Sequence, residues 1–258
     1  MTGKIYSECE IFYNAPISPG IFELMFKSPE IAASARPGQF VMVYMKNPAT
    51  LLPRPISICE TSPDGAVRLV YRVSGTGTRE MSGYKPGDIV KIMGPLGNGY
   101  PIPTGIKNAA LVGGGIGVPP LLSLASGFRK NHPDAKLTAV LGFKSEPILV
   151  GVFQKNGVDT RVAIEDKGEG NAVEMLQIIN DKFDIFYGCG PKPMLSSLAA
   201  YAEKIKTPCY ISLEERMGCG FGVCVGCACK IKNADSTETY KKVCTDGPVF
   251  NANDVIFE

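Results

Sequence analysis

The run Met217-Gly218-Cys219-Gly220-Phe221-Gly222-Val223-Cys224-Val225-Gly226-Cys227, followed later by Cys244, narrows the possible folds more than any other stretch of the chain. Its order, C-x4-C-x2-C and then one distant cysteine, is the plant-type spacing for a 2Fe-2S cluster. Iron needs thiolates from Cys219, Cys224, Cys227 and Cys244. Gly218, Gly220, Gly222 and Gly226 let the backbone wrap a bulky group with its N–H groups aimed at sulfur. The competing reading is a zinc site, which also favours four thiolates. The x4 gap and its dense glycines suit a wrapped cluster better. Such a cluster carries single electrons, so the rest of the chain should supply a partner for them.

A length of 258 residues allows one to three domains with real hydrophobic cores. The formal net charge is +2 and no long block of like charge appears, so a nucleic-acid surface is not expected. No basic stretch followed by an apolar one opens the chain, which points away from secretion. Residues 109–125 are apolar, but three consecutive glycines and Pro119-Pro120 interrupt them, so a membrane span is not expected either. Nine cysteines is an odd number, and four of them fall in one short segment. A reducing cytoplasm with a metal centre fits that usage better than secreted disulfides.

The chain reads as three pieces. Residues 1–99 carry short apolar runs such as Ile21 to Phe26, Gln39 to Tyr44, Pro55 to Ile58, Val67 to Val73 and Asp88 to Ile92. Turn residues separate them, among them Pro37-Gly38, Pro63-Asp64-Gly65 and Pro86-Gly87. This pattern predicts a small antiparallel β-barrel, with a β-sandwich as the alternative. Residues 100–207 change rhythm: buried-strand runs alternate with helical patterns, and prolines stand near the helix starts. Repeated β-α units predict a doubly wound α/β domain with a parallel sheet. Residues 208–258 read as a small metal-organised module.

Gly113, Gly114, Gly115 and Gly117 lie in a turn directly after a predicted strand and before a helix, where backbone can approach a pyrophosphate. A second turn, Gly188-Cys189-Gly190-Pro191, ends a later strand, and both turns should face one crevice. Glu165, Asp166 and Glu169 follow another strand; these carboxylates would repel a 2′-phosphate, which favours NAD over NADP. In the first piece, Arg54 stands between two prolines and so has a defined direction suited to a phosphate. Ser57 can offer a hydroxyl to a ring nitrogen. Val70-Tyr71-Arg72 lies on a strand, and Gly77-Thr78 opens a short helix whose free N–H groups and Thr78 hydroxyl would hold an anion. Cys229 is read as a packing residue, Cys9, Cys59 and Cys209 as small buried hydrophobes, and His132 as a solvated loop residue.

With these residues together, the chain resembles the ferredoxin–NADP reductase superfamily across all three pieces. Arg54-Pro55-Ile56-Ser57 resembles its flavin-binding R-x-x-S, and Gly77-Thr78 its pyrophosphate contact. The turn from Gly113 to Pro120 resembles its nicotinamide-dinucleotide loop, and Cys189-Gly190-Pro191 its segment near the nicotinamide. The cysteine run, with Ser212 to Met217 and Val243 to Phe250, more closely resembles the electron-transfer subunits of class 1B dihydroorotate dehydrogenases. That resemblance implies FAD in the barrel, NAD in the α/β piece, and a 2Fe-2S cluster at an edge facing a separate FMN-containing catalytic subunit. It also implies an α2β2 heterotetramer serving pyrimidine biosynthesis. Ser57 would then support the flavin N5, and Cys189 would lie near the nicotinamide, neither acting as an acid or a base. The flavin and iron–sulfur subunit of an NADH-dependent ferredoxin:NADP+ oxidoreductase, of a hydrogenase or of a sulfite reductase shares these motifs. A zinc-stabilised binding module without flavin is the reading from a different class.

Overall fold

The computed structural model describes residues 5–179, 181–233 and 235–257. The first strands are β1 (Ile5–Ser18), β2 (Ile21–Lys27), β3 (Phe40–Tyr44), β4 (Arg54–Thr61), β5 (Ala66–Arg72) and β6 (Ile89–Leu96), with short helices α1 (Pro29–Ser34) and α2 (Thr76–Ser82) between them. They form a closed barrel in the order β1-β2-β5-β4-β3-β6 with every pairing antiparallel. The turn at Pro63-Asp64-Gly65 works because Gly65 adopts φ +87, which brings β5 back beside β4. Closure depends on β1, whose first half pairs with β6 and whose second half pairs with β2 across register shifts. No apolar run announced β1. Tyr6, Phe12 and Tyr13 are exposed on it and only Cys9 and Ile11 are buried, so its alternation is faint.

The second part contains β7 (Asn108–Gly114), α3 (Pro119–Asn131), β8 (Lys136–Phe143), α4 (Val150–Lys155), β9 (Asp159–Ile164), α5 (Ala172–Ile178), β10 (Ile185–Cys189) and α6 (Lys192–Ile205). After it come β11 (Cys209–Ser212), the hairpin β12 (Ala228–Lys232) and β13 (Glu238–Lys242), and β14 (Val249–Asn251). One sheet runs β14-β11-β10-β7-β8-β9, parallel throughout except for β14. Successive residues of β7 point to opposite faces. Ala109 and Leu111 meet Leu121, Leu124 and Phe153 of α3 and α4, while Ala110 and Val112 share a core with Leu176, Leu195 and Leu198 of α5 and α6. Helices therefore cover both faces, the doubly wound arrangement. Pro119 occupies the first turn of α3 and Pro193 that of α6, where no hydrogen bond is lost.

The final residues do not stand apart. β11 extends the sheet in parallel and β14 closes its edge antiparallel, and Cys227, Cys229, Ile231, Val243 and Cys244 join one buried cluster with Phe40 and Met42 of the barrel and Val112 of the sheet. Barrel, sheet and cysteine module thus share a hydrophobic core. Among the described residues, no helix is long and apolar enough to cross a membrane.

Candidate functional site

From β7 the chain moves outward to β8 and β9, then crosses back to lay β10 and β11 on the other side of β7. The strand order therefore reverses between β7 and β10, the place where open α/β sheets bind ligands beyond their carboxyl ends. Both glycine turns lie there and touch. A Cβ on Gly117 would collide with the Cys189 carbonyl oxygen, and one on Gly190 would stand only 3.0 Å from the Gly114 nitrogen. Most of these glycines are demanded by the packing of the two turns. Gly115 differs: at φ +53 it faces the barrel, and a Cβ there would lie 3.5 Å from Nη2 of Arg72.

Arg72 ends β5, so barrel and sheet face each other across this gap. A cavity of about 380 Å³ opens here between Ser18, Ile21 and Arg72 on one side and Gly115, Phe143 and Lys144 on the other. The Ser18 hydroxyl donates to Glu146 Oε2 at 2.9 Å and joins the two rims. Lys144, Ser145 and Glu146 were not singled out from the sequence, although their place after the strand next to β7 was the available signal. The carboxylates of Glu165, Asp166 and Glu169 follow β9 one strand farther out and do not line the cavity. Glu169 instead accepts the Ile164 N–H at 2.9 Å.

Cys189 ends β10 and is buried. Burial pushes its thiol up to about 12, against the hydrogen bonds to Ser212 and Tyr100 and with the nearby charge of Glu214. It is a neutral thiol around pH 7, suited to contact and not to proton transfer. Tyr100 fixes the turn by donating its hydroxyl to the Gly188 carbonyl at 2.8 Å.

In the barrel, Arg54 begins β4 and donates from Nη1 to the Leu52 carbonyl at 2.6 Å. A Cβ on Gly77 would collide with Nε of Arg54, so the guanidinium lies on the first turn of α2. Cationic side chain and helix start are therefore side by side. The Thr78 hydroxyl does not point outward, as the sequence reading had it. It accepts the Ser74 and Gly75 N–H groups at 2.9 and 3.1 Å and donates to the Gly75 carbonyl at 3.2 Å, which leaves backbone groups for an anion.

Ser57 sits opposite Phe40, Ile56 opposite Val41 and Pro55 opposite Met42 in the β3–β4 ladder, and all three are half-buried. Tyr71 turns into the barrel, stacks on Phe22 and donates to Asn14 Oδ1 at 3.2 Å, so burial holds its hydroxyl above the usual phenol range. Val70 beside it is also buried, and Arg72 at the end of β5 is exposed. Glu80 on α2 was missed by the sequence reading. Its Oε1 accepts the Lys46 and Asn47 N–H groups at 2.7 and 2.9 Å and the Tyr84 hydroxyl at 2.8 Å, which pins the loop leading to Arg54.

The cysteine loop lies against the barrel: a Cβ on Gly220, at φ +76, would meet Met42 Cγ at 2.5 Å. Asn98 anchors its return, donating from Nδ2 to the Thr245 and Asp246 carbonyls at 3.0 Å each. Cys219 and Cys224 are half-buried, whereas Cys227 and Cys244 are buried. The sulfurs form two pairs. Cys219 Sγ accepts the Cys224 N–H at 3.4 Å, and Cys244 is hydrogen-bonded to Cys227.

Burial opposes ionisation of Cys219, but N–H groups of Cys224, Phe221 and Val223 and the Cys224 side chain bring its thiol down to about 6. Burial, together with Cys227, drives Cys244 up to about 12. Among the described residues, no three His, Cys, Asp or Glu side chains gather as one bound ion requires. Two sulfur pairs with N–H groups aimed at them fit the two irons of a 2Fe-2S cluster. Cys229 lies on β12 inside the shared core, and His132 is bonded through Nε2 to the Pro103 carbonyl at 2.8 Å. Neither belongs to the loop.

Residues 214–256 match the family model for the iron–sulfur cluster binding domain of dihydroorotate dehydrogenase B, and residues 9–100 match that for an oxidoreductase FAD-binding domain. A protein of a Geobacillus species, described as "Dihydroorotate dehydrogenase B (NAD(+)), electron transfer subunit", is 41% identical over 251 residues, covering 93% of this chain and 95% of that protein. One of the same description from Caldanaerobacter subterraneus is 40% identical over 97% of this chain and 98% of its own length. The chain belongs to the family of dihydroorotate dehydrogenase B electron transfer subunits.

Among solved structures, that of an NADH-dependent reduced ferredoxin-NADP oxidoreductase superposes with a TM-score of 0.84 at 29% identity, covering 96% of this chain and 90% of that one. The cytochrome b5 reductase domain of Ulva prolifera nitrate reductase shares the fold, with a TM-score of 0.64 at 15% identity over 78% of this chain and 94% of that one. As a member of the dihydroorotate dehydrogenase B family, the chain has an FAD-binding barrel and an iron–sulfur module. A subunit so described implies a catalytic partner.

Proposed function

We propose that this chain carries electrons between a catalytic partner that oxidises dihydroorotate and NAD+, with its three pieces, 1–99, 100–207 and 208–258, each holding one redox group. One observation supports this most. Gly220 of the cysteine loop rests on Met42, and Met42 pairs across the β3–β4 ladder with Pro55 of the Arg54–Ser57 segment. The cluster loop and the flavin segment are therefore one strand apart. When bound, a 2Fe-2S cluster exchanges electrons singly, while FAD accepts them singly and returns a pair as hydride.

Cys219, Cys224, Cys227 and Cys244 would hold the irons. Arg54 and the first turn of α2, including the Gly77 and Thr78 backbone, would hold the FAD pyrophosphate, with Pro55, Ile56 and Ser57 and the backbone of Val70, Tyr71 and Arg72 along the ring system. Ser57 would support the flavin N5. Gly113, Gly114, Gly115 and Gly117, with Gly188, Cys189, Gly190 and Pro191, would frame the nicotinamide dinucleotide at the strand reversal. The neutral Cys189 thiol would contact the nicotinamide without moving a proton. The NAD(+) in the relatives' description supports NAD over NADP.

Val223 and Val225 on the cysteine loop are 77% and 72% exposed, an apolar tip that suits docking of a partner. We assign that partner as an FMN-containing catalytic subunit in an α2β2 heterotetramer, working in the cytoplasm in pyrimidine biosynthesis. The ferredoxin:NADP+ reading has a fold match with a TM-score of 0.84 but only 29% identity, whereas the 41% identity to a dihydroorotate dehydrogenase B subunit and the family match of the iron–sulfur module favour the dihydroorotate system.

Anaerobic co-purification with the partner should yield dihydroorotate-driven NADH formation. Cys224→Ser should abolish that activity while NADH oxidation by artificial dyes persists. Loss of both activities with FAD still bound would refute the division of labour.

A further inference from the structure

The hairpin strand β13 brings Lys242 back over the cysteine loop, where its Nζ donates to the Gly222 carbonyl oxygen at 2.7 Å. Gly222 lies between Cys219 and Cys224, and its carbonyl shares a peptide unit with the Val223 N–H. That N–H is among the groups directed at the Cys219 sulfur. One rigid peptide thus has a cationic side chain at its oxygen end and a cluster-ligand sulfur at its hydrogen end. Chains of hydrogen bonds polarise one another, so a cation on the carbonyl makes the N–H a stronger donor. Lys242 is itself held: it is half-buried, and its own backbone N–H donates to Asp246 Oδ2 at 2.7 Å.

We propose that Lys242 is a positioning residue that raises the reduction potential of the cluster by acting through the Gly222–Val223 peptide on the Cys219 sulfur. The inference rests on the cluster reading above. Reduction adds negative charge to the sulfurs, and hydrogen bonds to them are among the factors that set the potential of such centres. A strengthened N–H···S bond and a nearby positive charge both favour the reduced state. Nothing in the residue order hints at this, because Lys242 stands 20 residues from Gly222 and meets it only through the hairpin.

The test is a reductive titration of the whole purified subunit, followed by the paramagnetic signal of the reduced cluster, in wild type, Lys242→Gln and Lys242→Arg. In Lys242→Gln the ratio of reduced to oxidised cluster at a fixed potential should fall about tenfold, equivalent to about 59 mV for one electron. Iron content and FAD content should stay unchanged. Lys242→Arg should restore most of the shift, since it keeps a cationic donor. An unchanged midpoint in Lys242→Gln overturns the proposal. So does a shift that arginine fails to rescue, or loss of iron from the glutamine variant alone, because each makes the side chain structural. A wild-type protein that takes up no 2Fe-2S cluster would instead refute the cluster reading itself.

Discussion

The flavin segment and the cysteine loop are one strand apart, yet they are held in opposite ways. Arg54 to Ser57 sits inside a barrel ladder, with each residue opposite a partner on β3 and prolines on both sides of the arginine. The stretch from Leu213 to Cys227 contains no regular strand. It is fixed by the Gly220–Met42 contact, by Lys242 on Gly222, and by N–H groups turned toward sulfur. A ladder preorganises its residues before any ligand arrives, whereas a loop whose N–H groups point at thiolates gains most of its order from what the thiolates bind.

The contrast breaks most visibly on iron removal. Chelation under reducing conditions should make the segment 213–227 rapidly cleavable by protease while FAD stays bound; simultaneous loss of both would show that the two regions order together. Next in size is Arg54→Ala. It removes a charged donor from the first turn of α2, a loss of about 1.5–3 kcal/mol, which is roughly 10- to 100-fold in FAD affinity. The cluster signal should not change. Flavin retention equal to wild type on gel filtration would contradict the assigned pyrophosphate site.

The smallest effect belongs to Glu80→Gln, which loosens the Lys46–Asn47 latch and should weaken FAD by a few-fold. Burial alone would raise the Glu80 carboxyl, but the N–H groups of Asn47 and Lys46 and the hydroxyls of Tyr84 and Thr50 bring it below its ordinary value. A lowered folded value gives stabilisation that is complete above the unfolded carboxylate range and lost as pH falls through the folded value. FAD release should therefore steepen on acidification in wild type and less so in the glutamine variant. Identical acid profiles would remove Glu80 from the account.

Much of this was legible in the chain. Short apolar runs at turn spacing announced five of the six barrel strands, and β-α alternation announced the parallel sheet. Both depend on local periodicity, which burial of one or two faces imposes directly. The cysteine spacing announced the cluster, and the family match of residues 214–256 agrees. β1 escaped because its two halves pair with different strands and leave Tyr6, Phe12 and Tyr13 exposed. The Thr78 hydroxyl, expected to hold an anion, is instead taken up by Ser74 and Gly75, because a turn's internal hydrogen bonds are not written in residue type.

By itself the sequence determined which chemistry the chain can hold: thiolates at cluster spacing, an arginine between prolines, glycines at strand ends. These follow from short-range geometry, so neighbouring residues specify them. Only the tertiary structure decided what stands beside what. It set the cysteine loop on Met42, Arg72 across from Gly115, Glu80 beneath the Arg54 loop and Lys242 over Gly222. Those contacts join residues far apart in the chain, and they exist only because barrel, sheet and hairpin bury a common core.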